Sequence, residues 1–132
     1  MTNLLIQETK SSPYINFDDK KNILKIKGQS YPENAAKFYD PLFKWLNDFF
    51  NNQLNDQIIV DINLIYLNTS SSKIMINFFN ILEEEYKKGK KITINWSCDK
   101  DNEIAFECGE EFKEDLTLPF NLIQYTESNN VE

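Results

Sequence analysis

The chain has 132 residues, enough for one domain with a single sizeable core. Its 14 basic residues stand against 21 acidic ones, and the formal charge of −7 argues against nucleic acid and against adsorption to an anionic membrane. There is no histidine, which removes the commonest general base and metal ligand.

Two cysteines, Cys98 and Cys108, are too few for a zinc site or a disulfide framework. The start of the chain, Met1 to Glu8, lacks a basic leader and a long apolar run, so a cytoplasmic protein with reduced thiols is expected. No catalytic residue, cofactor or metal is expected. The 14% aromatic content points to an aromatic-rich core or interface.

Leu4 to Glu8 reads as a short strand broken at Ser11-Ser12-Pro13. Tyr14–Asp18 and Ile23–Gly28 form a hairpin across the polar turn Asp19–Asn22, and the second strand alternates apolar and basic residues until Gly28 ends it. Gln29 to Asn34 is a loop. From Ala35 to Phe50 apolar residues recur at three- and four-residue steps, predicting a helix with Pro41 inside it. Either this helix kinks at Pro41, the reading preferred here, or Asp40 caps a second helix that starts at Pro41. Its aromatic stripe is read as core. Asn51 to Asp56 is a polar linker.

Ile58 to Leu67 is a β-branched, buried central strand. Asn68 to Lys73 follows as a hydroxyl-rich turn, and Ile74, Phe78, Leu82 and Tyr86 mark the next helix, closed near Gly89. The basic run Lys87 to Lys91 reads as a solvated helix end. Lys91–Trp96 is a strand parallel to the central one through a right-handed crossover. Glu103–Phe112 is a short acidic helix weakened by Gly109, and Phe120–Tyr125 is the last strand. The carboxylates between Asp101 and Glu111 do not fall in calcium-loop register. The expected architecture is a single α/β domain over 1–126, with a polar tail at 127–132. It is a mixed β-sheet led by an N-terminal hairpin, with two main helices and a short third.

The Asn68-Thr69-Ser70-Ser71-Ser72 run carries the functional expectation. Asn68, Thr69 and Ser70 are favoured N-caps, and one of them suffices for capping. The surplus hydroxyls at a helix's positive end suit a phosphorylation switch. A nucleotide site would want the glycines of a P-loop, which are absent.

Ser30-Tyr31-Pro32-Glu33-Asn34, Trp45-Leu46, Leu64 to Lys73 and Gly109-Glu110-Glu111-Phe112 together resemble the SiaC family of bacterial biofilm-regulation phosphoproteins, from about Ile6 to Tyr125. The resemblance implies a fold similar to STAS anti-sigma-factor antagonists. It implies phosphorylation of Thr69, with Ser70 as second choice, by a Ser/Thr protein kinase, and removal by a metal-dependent Ser/Thr phosphatase. It also implies that the unmodified form binds and activates a diguanylate cyclase and so raises cyclic di-GMP. The three serines after Thr69 leave Ser70 and Ser71 open as modified residues. The expected partner interface is Tyr31, Pro32, Glu33, Asn34, Asn68, Ser70, Ser71 and Lys73. One alternative is an anti-sigma-factor antagonist acting on an anti-sigma kinase. Another is a small enzyme built on Asp61 or on the acidic stretch Glu107 to Asp115, although Asp61 reads first as a structural carboxylate.

Overall fold

The computed structural model describes residues 2–52 and 57–126; the expected tail at 127–132 and residues 53–56 of the expected linker lie outside them, while its first two residues, Asn51 and Asn52, belong to the first helix. Among the described residues three strands are followed by helices and strands in turn: β1 (Leu4–Ile6), β2 (Tyr14–Asp18), β3 (Ile23–Ser30), α1 (Ala35–Asn52), β4 (Ile58–Leu67), α2 (Thr69–Lys87), β5 (Ile92–Asp99), α3 (Glu103–Glu114) and β6 (Phe120–Tyr125). The strands form one sheet in chain order. The β1–β2 and β2–β3 pairs are antiparallel, and β3 through β6 run parallel. The mixed sheet led by a hairpin is therefore observed, as is the parallel β4–β5 neighbour pair.

Alternation explains how the sheet is covered. Leu24, Ile26, Ile58, Val60, Ile62, Leu64, Ile92, Ile94 and Trp96 point to one face and are buried there. The residues between them on β3, including Lys25 and Lys27, are exposed on the opposite face. On that bare face Asp61 accepts a hydrogen bond from Asn95 at 3.1 Å, and Tyr125 donates to Asn63 at 3.2 Å. Asp61 thus serves the sheet, and it sits inside β4.

The covered face packs most of the aromatic residues. Phe17 meets Trp45 edge-on at 5.4 Å and stacks near Phe78 at 6.1 Å. Phe79, Trp96, Phe112 and Phe120 form a second cluster beneath α3. These contacts confirm the aromatic stripe of α1 as core and bind α1 and α2 to the sheet.

Several boundaries differ from expectation: β1 stops at Ile6 and not at Glu8, β5 runs past Trp96 to Asp99, and the ends of β3, α2 and α3 move as well. α1 is the single element preferred above, running through Pro41, and the alternative of a second helix capped by Asp40 falls; Pro41 sits on its exposed side, and Asn34 caps its start by accepting from Lys37 N at 3.1 Å. β3 does not end at Gly28 but continues to Ser30, because β4 absorbs a bulge: Gly28 pairs with Leu64 while Gln29 pairs with Tyr66, leaving Ile65 extra. α2 begins at Thr69, so most of the predicted turn is its first helical turn. α3 runs unbroken through Gly109, where a Cβ would stand 2.5 Å from Trp96 Cδ1; the helix needs glycine there to lie on the indole. Trp96 Nε1 donates to the Ala105 carbonyl at 3.0 Å and fixes the same contact.

Glu83, buried on α2, holds the entry to β6. Thr117 N and Leu118 N donate to its Oε1 at 2.9 and 3.2 Å, and Thr117 Oγ1 donates to Oε2 at 2.6 Å. Burial pushes its carboxyl up, but these bonds and Lys87 outweigh burial and hold it below the ordinary glutamate value.

Candidate functional site

The parallel ends of β3 and β4 bring two separate sequence motifs together. Asn68 N donates to the Ser30 carbonyl at 3.0 Å, which joins the turn after β4 to the end of β3. Asn68 then caps α2: its Oδ1 accepts from Ser71 N at 2.9 Å and its carbonyl from Ser72 N at 2.9 Å. The amides of Thr69 and Ser70 have no acceptor among the described residues, so the positive end of α2 stays open.

The hydroxyls of this turn divide by burial. Thr69 and Ser70 are exposed, as is Lys73 one turn on. Ser71 is fully buried, with its Oγ 2.7 Å from Ser30 Oγ, and Ser30 Oγ lies 2.6 Å from Tyr39 Oη. This corrects two expectations. Ser71 faces inward, so it belongs neither to the partner surface nor to the hydroxyls a kinase reaches. Burial pushes the Tyr39 phenol up to about 12, against a smaller lowering by Ser30, so the triad stays uncharged.

Two surfaces flank Thr69. Between the starts of α1 and α2 lies an open groove of about 1020 Å³, whose lining includes Glu33, Asn34, Lys37, Phe38, Ser70 and Lys73. Four of the predicted interface residues, Glu33, Asn34, Ser70 and Lys73, meet there. Asn68 is half-buried as the cap, and Tyr31 and Pro32 are half-buried where β3 runs on towards α1. Tyr31 stands edge-on to Tyr66 with ring centroids 5.9 Å apart. Ile65 and Tyr66 were not singled out from the sequence. The available signal was the unbroken run Leu64-Ile65-Tyr66-Leu67, where strict alternation fails.

Of the other candidates, Glu107, Glu110, Glu111 and Glu114 share an open surface hollow on α3 with Lys113 and Leu122, and no group of acidic or thiol side chains suited to a metal occurs among the described residues. Both cysteines are free. Burial, then Asp99, pushes the Cys98 thiol up; burial, then Glu111 and Glu107, does the same for Cys108, so neither is primed as a nucleophile. No helix among the described residues is long and apolar enough to cross a membrane.

The family model described as SiaC family regulatory phosphoprotein matches residues 6–125, and the chain belongs to that family. It is 35% identical over 127 residues to an uncharacterised protein of Pseudomonas aeruginosa strain UCBPP-PA14, covering 96% of this chain and 100% of that one. The structure of SiaC of P. aeruginosa matches with a TM-score of 0.88 at 33% identity, over 95% of this chain and 100% of that one. A chain in the crystal structure of the P. aeruginosa diguanylate cyclase SiaD in complex with its activator SiaC matches with a TM-score of 0.88 at 34% identity, over 92% of this chain and 99% of that one.

Proposed function

We propose that the chain is a non-enzymatic partner-switching regulator, phosphorylated reversibly on Thr69, whose unmodified form binds and activates a diguanylate cyclase. A Ser/Thr protein kinase adds the phosphate and a metal-dependent Ser/Thr phosphatase removes it. The observation that carries this reading is Thr69 itself: exposed, at the first position of α2, beside a groove between two helices. The cyclase assignment rests on the family and on the related SiaC solved in complex with SiaD.

Magnitudes favour a switch in binding over a switch in folding. A phosphate at the helix N-terminus gains about 0.3–1 kcal/mol from the dipole and has Lys73 at i+4 on the same helix. Burying the same dianion under a partner that offers no cation costs several kcal/mol. The fold therefore tolerates the modification that the complex rejects.

Because Asn68 is the cap, Thr69→Ala leaves the helix start intact, contrary to a reading in which Thr69 caps it. Thr69→Ala should bind the cyclase as wild type does, and Thr69→Glu should lose at least about tenfold, or about 1.4 kcal/mol, at equal stability. Equal binding by both, or intact mass and peptide mapping that find no phosphate on Thr69 in protein from its own host, refutes the proposal.

A further inference from the structure

We infer that the cyclase of the preceding reading, on which this inference rests, seats on the bulged end of the bare sheet face, with Ile65 and Tyr66 at the centre of contact. The extra residue in β4 turns Ile65 and Tyr66 outward side by side, 53% and 48% exposed, immediately before the capped start of α2. Single exposed apolar residues are ordinary, but here they gather. Tyr31 holds the Tyr66 ring edge-on, so Tyr66 loses little freedom on binding. Asn102 donates to the Ile65 carbonyl at 3.1 Å and draws in the start of α3, whose Ile104 is 73% exposed. None of Ile65, Tyr66, Tyr31 and Ile104 belongs to the core.

The charges around this platform state what the occupant offers. On the α3 side Asp101 and Glu103 are exposed, against Lys100. On the groove side Lys37 and Lys73 outnumber Glu33. The complementary partner face has an apolar centre, a basic edge toward α3 and an acidic edge toward Lys37 and Lys73. That acidic edge lies nearest Thr69, so phosphate there meets like charge and competes for Lys73. The sign of the switch follows from this polarity.

The test uses the full chain and the purified diguanylate cyclase of its own host. The Ile65→Ser, Tyr66→Ser double variant should bind at least tenfold more weakly, with unchanged thermal midpoint and unchanged phosphorylation by the kinase. Lys73→Glu should weaken the unmodified chain as Thr69→Glu does. Leu5→Ser, equally exposed at the far sheet edge, should bind as wild type. If the double variant binds as wild type while Thr69→Glu still fails to bind, the contact lies elsewhere and only this inference falls. If the wild-type chain does not bind the cyclase, the functional proposal falls and this inference with it. If the wild type forms a dimer that the double variant dissolves, the occupant is a second copy and the inference is overturned.

Discussion

Ser30→Ala tests whether the buried hydroxyl triad holds the functional corner. Ser30 Oγ lies between Tyr39 Oη at 2.6 Å and Ser71 Oγ at 2.7 Å, with all three side chains sealed from solvent. Removing the middle hydroxyl orphans two buried polar groups, each at roughly 1–3 kcal/mol, for a total of about 2–6 kcal/mol. Tyr39→Phe removes one outer hydroxyl and leaves Ser30 paired with Ser71, so it should cost only about 1 kcal/mol. The double variant should cost less than the sum, because the phenol that Ser30→Ala orphans is already gone. Urea unfolding with constant m measures each midpoint. If Ser30→Ala costs no more than Tyr39→Phe, the triad does not act as a connected unit and the reasoning fails. A loss near the upper bound would consume much of an ordinary domain's stability of about 5–15 kcal/mol.

Glu83 titrates below the ordinary value of 4.5, so its contribution is full above that pH and is lost as pH falls through the lower folded value; Glu83→Gln should flatten this acid limb in stability measured against pH. Gly109→Ala should destabilise by about 1–3 kcal/mol through overpacking on Trp96, visible as a lower thermal midpoint with altered tryptophan fluorescence. Asn68→Ala should cost about 1 kcal/mol as a lost cap while Thr69→Ala is neutral or slightly stabilising, and equal losses in chemical denaturation would contradict the assigned cap.

Much of the fold was legible because only one sheet face is covered. The apolar-polar alternation of β3 and the four-residue period of α2 state directly which side is buried. What was hidden depended on distant partners. Ser70 to Lys73 carry no apolar period, so the first turn of α2 reads as loop; its helical state rests on the Asn68 cap and on Ser71 reaching Ser30. Nothing local marks Ser71 as buried, since a serine is equally at home on a surface. Gly28 reads as a stop and Gly109 as a weak point inside its helix. In one case a bulge on β4 carries the strand onward, and in the other an indole lies where a side chain would be. The site residues Glu33, Asn34, Ser70 and Lys73 were found as two separate motifs. The hydrogen bond from Asn68 N to Ser30 O that unites them follows from strand order, which single-chain periodicity does not specify.

The helical period explains why one short run can serve both fold and switch. At about 100° per residue, consecutive positions point to different sides of α2. Asn68 closes the helix, Thr69 and Ser70 face solvent, Ser71 turns inward to the triad, and Lys73 returns outward on the Thr69 side. A group attached to Thr69 therefore adds charge without touching Ser71, while Ser71 pins the helix start against β3 and α1. Loosening the triad would let the corner move with its modification and blur the two states. Keeping it rigid confines the effect of a phosphate to whatever docks against Thr69, which is the condition for a modification to be read by partners and not by the fold.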